Sequence, residues 1–572
     1  MKNKSKLLIT LIAIFICCIM ALFISACQDG NNNGDGNTDD NTDDDTEEFI
    51  DFGFKLNEDG DSYSVINYAG SSAEVVIPDT YKNLPVTSIG RHAFYECTSL
   101  TKITIPDSVT SIGEFAFSHC TSLESVEISE NITIIDNGAF IDCTSLTAVK
   151  ITDIISWCGI KFENGDSNPL HFAHNLYLND ELVTALEIPD SVTSISWSFY
   201  GCTSLESVSF GDNSQLTSIG DYAFYCCTSL TSITFGNNSK LTSIGYCAFI
   251  DCTSLKGIII PDGVTFIDRN AFSGCESFES IAIPDGVTSL CEAFVYCTNL
   301  KSVTFGVNSK LTSIDDLTFY NCTSLESIEI PDGVTSIGRE AFFGCTNLKS
   351  VSFGENSKLT TICGIAFLDC TSLESVVIPA SVTYIEFRAF SSCTSLTAVK
   401  ITDIASWCNI KFEDFEANPL FYAHNLYLND DLVTALEIPD SVVSIEYSFC
   451  DCESLESVSF SDTSKLTSIG NYTFYRCTNL KSISFGNNSK LISIGFGAFF
   501  DCESLESITI PDSVTTVGAA FAGCESLKSV IFKNTNGWTV GDTSIENSIL
   551  EDPVTAATYL KSAYLGSTWT RS

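Results

Sequence analysis

A short phrase, Phe-x-x-Cys, returns sixteen times along this chain and limits the folds that the chain can adopt. Successive cysteines are mostly 23 or 25 residues apart, with two steps of 22 and two of 59. A unit of this length is too short to bury its own Leu, Ile, Val and Phe, so each unit must pack on the units before and after it. The repeat therefore predicts a solenoid.

Each unit contains a short alternating segment such as Leu123-Glu-Ser-Val126-Glu-Ile128, which is typical of a strand with one buried face. A turn follows this segment. It is Pro-Asp-Ser or Pro-Asp-Gly in the 23-residue units and a longer Gly-Asn type in the 25-residue units, as at 235–241. Stacked units of this kind predict a parallel sheet along one side, with neighbouring strands about 4.8 Å apart.

Several phrases of the repeat carry a family resemblance. IPDSVTSIG, AF-x-x-C-TSL and the NPL…HNLYLN segments resemble the BspA-like family of bacterial leucine-rich repeat surface proteins, over roughly residues 60–535. The resemblance implies a solenoid of leucine-rich-repeat type, exposure at the cell surface and adhesion to host matrix proteins or to other bacteria. We expect a parallel β-sheet on one face, short strands and irregular or turn segments on the other, and a small C-terminal helix at 553–565.

The chain divides into five expected segments. They are a lipoprotein signal peptide (1–26), a disordered acidic Asn/Asp/Gly tether (27–48), an N-terminal cap with the first coil (49–96), the leucine-rich-repeat solenoid (97–530) and a C-terminal cap (531–572). Within the solenoid, the coils at 147–190 and 397–440 carry inserts. These inserts are near copies offset by 250 residues, so a block of coils was duplicated.

The first 27 residues predict export and lipid anchoring. Lys2, Lys4 and Lys6 precede an apolar run at 7–23, and Ile24-Ser25-Ala26-Cys27 resembles a lipobox whose Cys27 becomes diacylated. The alternative is an uncleaved membrane anchor, since the run is near the lower limit for a spanning helix. Both alternatives place the rest of the chain outside the cytoplasmic membrane. The nine carboxylates of 28–48 lack the spacing of an EF-hand calcium loop.

The repeat cysteines are interpreted as a structural row of thiols, one per coil. Their Cα atoms would lie within disulfide range, but parallel Cβ vectors keep the Cβ atoms farther apart than a relaxed disulfide prefers, and a straight row cannot surround zinc. Without Cys17, Cys18 and the lipidated Cys27, 23 of the 26 cysteines remain, an odd number that excludes complete pairing. We expect free thiols that pack as small hydrophobes near backbone carbonyls, and an oxygen-poor habitat. The row comprises Cys97, Cys120, Cys143, Cys202, Cys227, Cys252, Cys275, Cys297, Cys322, Cys345, Cys370, Cys393, Cys452, Cys477, Cys502 and Cys524.

No residue set predicts catalysis, a metal site or a cofactor. The chain has no nucleophile motif and no phosphate loop. His171-x-x-His174 has the form of a metal pair, but position 171 becomes Phe421 in the duplicated block. The formal charge of −44 repels phosphate backbones, so nucleic acid is not an expected partner.

The candidate binding face consists of the outward position between the last two inward residues of each strand. This lining is mostly small and polar and lacks Trp, Tyr and Arg, which dominate interface hot spots, so it predicts weak, distributed, multivalent contacts. Its residues are Thr104, Glu127, Lys150, Ser209, Thr234, Ile259, Thr304, Glu329, Ser352, Lys400, Ser459, Ser484 and Thr509. The insert aromatics Trp157, Tyr177, Trp407 and Tyr427 either contact a partner or fill the core of their own wider coil.

The function expected from these features is binding at the cell surface. A lipid-anchored, monomeric chain on the extracellular face of a bacterial envelope would adhere to extracellular proteins or glycans, or to other cells, through the long polar face of its solenoid. It would contact the membrane through its lipid anchor only. The alternative is a structural envelope spacer without a specific ligand.

Overall fold

Nearly every coil of the chain supplies one short strand to a parallel sheet, and we call these strands the face strands; the coil at 255–260 contributes only a single bridge at Ile258. Most face strands pair in register with a neighbouring coil, as Ala148–Ile151 does with Ser125–Ile128, and the pairing is interrupted after each insert and before Ser280–Ile283. A computed structural model describes residues 51–563 and 567–571, so the expected signal peptide, Cys27 and tether lie outside the described residues. The predicted solenoid with a parallel sheet on one side is confirmed. The face strands are Glu74–Val76, Lys102–Thr104, Ser125–Ile128, Ala148–Ile151, Leu176–Leu178, Ala185–Ile188, Ser207–Phe210, Ser232–Thr234, Ser280–Ile283, Ser302–Phe305, Ser327–Ile330, Ser350–Phe353, Ser375–Val377, Ala398–Ile401, Leu426–Leu428, Ala435–Ile438, Ser457–Phe460, Ser482–Ser484, Ser507–Ile510 and Ser529–Phe532.

A second row of parallel strands, mostly two residues long, runs along the solenoid after the turns. Its inward position is an aliphatic residue in most coils, such as Ile219 paired with Ile244. Outside the inserts, the chain turns through the repeated Phe-x-x-Cys phrase after each of these strands and returns to the face strand. The strands are Leu84–Ile89, Ser111–Ile112, Ile134–Ile135, Lys161–Phe162, Ser194–Ile195, Ser218–Ile219, Ser243–Ile244, Phe266–Ile267, Ser313–Ile314, Ser336–Ile337, Thr361–Ile362, Tyr384–Ile385, Lys411–Phe412, Ser444–Ile445, Ser468–Ile469, Ser493–Ile494 and Thr516–Val517.

The core is one continuous hydrophobic cluster built by stacking the same side chains from coil to coil. The Phe residue of the repeated phrase lies directly over its counterpart in the next coil, with centroids 5.0 to 5.6 Å apart. Stacked rings at this separation are favourable and bury large apolar areas. The period of the sequence thus becomes columns of stacked aromatic rings, which run over Phe94–Phe140, Phe199–Phe390 and Phe449–Phe521 and are separated by the two inserts.

The two turn types decide how completely neighbouring face strands pair. We call a coil an Ile-Pro coil if its face strand ends in Ile followed by Pro, and a Phe-Gly coil if it ends in Phe followed by Gly. Where an Ile-Pro coil precedes a Phe-Gly coil, four residues pair, as between Ser280–Ile283 and Ser302–Phe305. In the reverse order the strands diverge early, and between Ser302–Phe305 and Ser327–Ile330 only the first residues remain paired. The other reverse junctions pair Ile233 with Ile258 only, Ser350 and Val351 with Ser375 and Val376, and Ser482 with Ser507.

The reverse junctions share a proline at the end of the second strand. The backbone N–H of Gly306 donates to the carbonyl of Ile283 at 3.1 Å and closes the end of that strand pair. Pro331 occupies the equivalent place one coil later and has no N–H to donate to Phe305. This hydrogen bond is therefore missing where the sheet opens between the two coils.

The two inserts contain short helices in place of the usual turn. In the first block these are α1 (Ile154–Gly159), a 3₁₀ turn (Gly165–Ser167) and α2 (Leu170–Ala173). The second block repeats them as α3 (Ile404–Cys408), a 3₁₀ turn (Phe415–Ala417) and α4 (Leu420–Ala423). Asp153 and Asp403 cap α1 and α3 by accepting hydrogen bonds from backbone N–H groups. Antiparallel strands Glu181–Leu182 and Asp431–Leu432 close the inserts.

Both ends of the solenoid are covered. At the start, Phe52–Leu56 pairs antiparallel with Tyr63–Tyr68, and Thr80–Tyr81 pairs with the start of Leu84–Ile89. At the end, Trp569–Arg571 pairs antiparallel with Thr516–Val517 and with Trp538–Val540, which forms a hairpin with Thr543–Ser544. The helix expected at 553–565 is preceded by α5 (Asn547–Glu551) and is present as α6 (Pro553–Thr558) and a π-helix (Tyr559–Ala563). Among the described residues, no helix is long and apolar enough to cross a membrane.

Candidate functional site

The repeat thiols lie in a row, and most of them contact the coil before their own. In thirteen of the sixteen, the Sγ–H donates to the carbonyl of the preceding coil's repeat Phe at 3.0 to 3.3 Å, as Cys120 does to Phe94. That carbonyl also accepts the backbone N–H of its own cysteine, as Phe94 does from Cys97. Each thiol thereby satisfies the second lone pair of a buried carbonyl.

The three exceptions mark where the stack begins or is interrupted. Cys97 lies in the first coil and is half-buried. Cys202 and Cys452 follow the inserts and contact the hydroxyls of Ser204 and Ser454 at 3.6 and 3.5 Å. Burial raises the pKa of the thiols, to about 12 for Cys143 and Cys393, so they remain protonated and unreactive at neutral pH. The row serves packing.

The candidate binding face is exposed or half-buried at every position named from the sequence. Ile259 is its most exposed large apolar member, at 88% of its surface. Lys150 and Lys400 are held by ion pairs with Asp180 and Asp430 in the inserts, at 2.7 and 2.8 Å. The face is therefore a polar lining whose lysines are already paired within the chain.

An open groove of about 470 Å³ interrupts this face where the strands diverge before Pro331. Thr304 and Glu329 of the predicted face lie along it, together with Val307, whose side chain is 98% exposed. The feature of the sequence that accompanies this groove is a Phe-Gly coil followed by an Ile-Pro coil. The opening itself depends on how the two coils stack.

The insert aromatics separate into buried and accessible residues. Trp157 and Trp407 are each 1% exposed, and their indole N–H groups donate to the carbonyls of Ser198 and Ser448 at 2.8 Å. These rings fill the core of the wider coil and are not available to a partner. Tyr177 and Tyr427 are half-buried on the face strands that follow.

A cluster of aromatic side chains that the sequence reasoning missed lies on the segments around the repeated Phe. In the first block, Trp197 stacks on Tyr222 at 4.1 Å and Tyr200 stacks on Tyr225 at 4.5 Å. All four rings are half-buried. We call this set, together with His171 and Tyr246, the first aromatic cluster. Burial raises the pKa of Tyr200 to about 12, so its hydroxyl stays neutral.

The second block builds an equivalent cluster in which five aromatic residues lie at positions offset by 250 residues, and Phe415 replaces the ring of Tyr200. Tyr472 is its centre and packs within 5.5 to 6.2 Å of Phe496, Tyr475, Phe415 and Tyr447. Phe496 is 41% exposed. We call this set, together with Phe421, the second aromatic cluster. Aromatic residues recurring at offset 250 outside the inserts are the signal that could have revealed both clusters.

The backbone holds these aromatic residues in an unusual conformation. Trp197, Tyr222, Tyr447 and Tyr472 occupy the position two residues before the repeated Phe, with φ between 51 and 61°. Left-handed backbone is uncommon for bulky residues and costs energy that the surrounding structure must offset. The same left-handed backbone recurs at this position in other coils, as at Phe115 and Leu317, so it belongs to the repeat and not to the clusters alone.

The histidines are arranged differently in the two blocks. His171 stacks on Tyr200 at 5.1 Å, while His174 Nδ1 lies 3.1 Å from the carbonyl of Gly201. Of the described residues, only His424, Asp451 and Glu453 form a group of three potential metal ligands, which the sequence reasoning missed. Burial raises the pKa of Asp451 to about 6 despite its pairing with Arg476.

Comparison with known proteins gives one family. The sequence matches the BspA type leucine rich repeat region in six copies, over residues 67–167, 171–301, 217–323, 291–417 and 423–552. A leucine-rich repeat protein from Bacteroides ovatus is 23% identical, with 85% of this chain and 98% of that chain covered and a TM-score of 0.41. A leucine rich cell surface protein from Faecalibacterium prausnitzii is 22% identical, with 85% and 94% covered and a TM-score of 0.26. No curated protein matches the chain.

Proposed function

Because this chain belongs to the BspA-type leucine-rich repeat family, we propose that it is a lipid-anchored binding protein of a bacterial cell surface that adheres to an extracellular protein or glycan. The lipobox at Cys27 and the acidic tether after it support the anchoring. The similar protein from Faecalibacterium prausnitzii is described as a cell surface protein, which supports the location.

The observation that carries the binding role is the presence of two equivalent aromatic clusters, one in each duplicated block. Aromatic side chains supply large contact areas at a small entropic cost, and they are enriched in binding hot spots. Two sites on one chain can engage a repetitive partner together, so modest affinities combine into stronger retention. The polar face would add weak, distributed contacts to this attachment.

A role as an envelope spacer remains the second candidate, favoured by one specific observation. The rings of each cluster are half-buried against one another, so part of their contribution is to stiffen neighbouring coils. A spacer needs stiffness and no ligand. The two roles differ in whether the rings contact anything outside the chain.

Display of the full-length protein on a bacterium that lacks it separates these roles. Retention is measured on matrix proteins, mucin and other cells. The variants are Tyr225→Ser, Tyr475→Ser and their combination, and Tyr320→Ser is the matched control, because Tyr320 also follows a repeated Phe and is half-buried but lies outside both clusters. Binding through the clusters predicts about a tenfold loss of retention in the double variant, a smaller loss in each single variant and none in the control.

Two results would contradict the binding role. One is retention of the intact protein no higher than that of an unrelated acidic solenoid. The other is equal retention by the double variant and the Tyr320→Ser control. Retention that persists at high salt would indicate aromatic contacts. Retention that falls as salt screens the charges would indicate that surface charge dominates the binding.

A further inference from the structure

A group of ionisable side chains lies where the second insert meets the coil that follows it. His424 ends α4 with left-handed backbone at φ 61°, and Asp451 lies immediately before Cys452 at φ 57°. The backbone N–H of Glu453 donates to the carbonyls of both residues, at 2.8 Å to His424 and 2.9 Å to Asp451. These bonds hold three side chains from two segments beside one another.

The potential ligand atoms of this group converge. His424 Nδ1 lies 3.7 Å from Asp451 Oδ1 and 3.9 Å from Glu453 Oε1, and all three atoms lie within 4.8 Å of one another. The Asp451 side chain is only 1% exposed. Neither its Oδ1 nor His424 Nδ1 has a hydrogen-bond partner in the described part of the chain. Buried polar atoms without partners are costly and rare, so this pair requires an explanation.

The neighbouring charges favour a cation. Arg476 contacts the other oxygen of Asp451, with Nη1 3.3 Å from Oδ2, and leaves Oδ1 free to face His424. The group thus has one arginine for two carboxylates. Glu453 is 46% exposed and has no ion pair in the described residues apart from its contact with His424. With a neutral imidazole, the group carries a net charge of about −1.

The first block shows the same backbone without this group. His174 is equivalent to His424, but Gly201 and Thr203 stand where the second block has Asp451 and Glu453. His174 Nδ1 contacts the carbonyl of Gly201 at 3.1 Å and is not left unpartnered. The carboxylates are therefore a property of the second block and not a requirement of the fold.

We propose that His424, Asp451 and Glu453 form a binding site for one divalent transition-metal cation of the Zn²⁺ class. One imidazole nitrogen and two carboxylate oxygens are ligands that Zn²⁺ accepts, with a water in the fourth position. Ligand atoms about 2.1 Å from a tetrahedral ion lie about 3.4 Å apart. The two separations from His424 Nδ1 would close by a few tenths of an ångström, and the third, between the two carboxylates, is no longer than 4.8 Å. The cation would join the insert to the following coil.

The test uses the full-length protein with isotope-labelled histidine rings and Co²⁺ as a paramagnetic probe of the site. A site-specific signal is needed because the many thiols of this chain can also bind transition metals. The chain has five histidines, so the ring signals can be assigned individually. We expect one equivalent of Co²⁺ to shift or broaden the His424 signals and leave those of His174 unchanged, with Zn²⁺ reversing the effect.

Charge-removing variants identify the other ligands. Asp451→Asn and Glu453→Gln retain side-chain size and should each weaken the Co²⁺ effect on His424 by about tenfold or more. Asp369→Asn is the matched control, since Asp369 also precedes a repeat cysteine with left-handed backbone but has no histidine beside it. The proposal is overturned if His424 does not respond to a tenfold excess of Co²⁺. An unchanged response in Asp451→Asn, or an equal response of His119 beside Asp142, would also overturn it.

Discussion

Tyr200 covers Gly165 so closely that a side chain at Gly165 would require the tyrosine ring to shift by a few tenths of an ångström. A Cβ atom added there would lie 3.0 Å from the Cζ atom of the tyrosine. At the equivalent positions of the second block the sizes are exchanged, with Phe415 in place of the glycine and Cys450 in place of the tyrosine. Cys450 Sγ lies 3.5 Å from the carbonyl of Phe415. One aromatic ring per block therefore fills this space, supplied from either side of the contact.

The exchange predicts strong coupling between the two positions. Gly165→Phe alone should lower the free energy of unfolding by about 1–3 kcal/mol, because two rings would compete for one space. The double variant Gly165→Phe, Tyr200→Cys should recover most of that loss. Urea unfolding of the four proteins gives the coupling energy. Additive effects of the two changes would show that the exchange of sizes is incidental.

The thiol row predicts that two substitutions of Cys370 lower the free energy of unfolding by different amounts. Cys370 is fully buried, and its thiol donates to the carbonyl of Phe342 at 3.1 Å. Cys370→Ala should cost about 1–3 kcal/mol, since it removes the donor and leaves a small cavity. Cys370→Ser should cost less, because its hydroxyl can replace the S–H donor. Cys363→Ala is the control, as Cys363 is half-buried outside the row. Thermal unfolding orders the three variants, and an equal loss in both Cys370 variants would argue against the S–H bond.

The alkylation rate of Cys363 should rise with pH over a higher pH range than that of an ordinary cysteine. Burial, with the nearby carboxylates of Glu386 and Asp316, raises the pKa of Cys363 to about 11. Since the thiolate is the nucleophile, its alkylation rate should keep rising about tenfold per pH unit from 9 towards 11. In urea the rate should level off near the ordinary pKa of about 9. Alkylation followed by peptide mass spectrometry measures both profiles, and a native plateau near pH 9 would contradict the raised pKa.

The groove beside Thr304 should narrow when the missing backbone donor is restored. Pro331→Ala supplies an N–H that can bond the carbonyl of Phe305, as Gly306 does to Ile283 one coil earlier. We expect slower hydrogen exchange over 327–333 in this variant. Pro284→Ala is the comparison, because Pro284 lies in an Ile-Pro coil that follows another Ile-Pro coil. Unchanged exchange in Pro331→Ala would show that turn size, rather than the proline, separates the strands.

The sequence by itself determined the solenoid and its period. Units of 23 or 25 residues cannot bury their own apolar side chains, so stacking is the only arrangement that removes residues such as Leu123 and Phe117 from water. The alternation of inward and outward positions along each strand also placed Ile103 inside and Thr104 outside. Features that recur in every coil were predictable because each copy shows the same pattern.

Only the tertiary structure decided which residues from different coils meet. Tyr200 and Gly165 are 35 residues apart, and His424 and Asp451 come from an insert and the coil beyond it. Nothing in their local pattern indicates contact, because each occurs once per block and follows no period. Their distances depend on how a helix-bearing insert seats on the next coil, which is set by packing across the stack. The repeated scaffold was therefore predictable from the chain, and the recurrence of aromatic residues at an offset of 250 was visible there, whereas the contacts within the aromatic clusters and the histidine–carboxylate group were not.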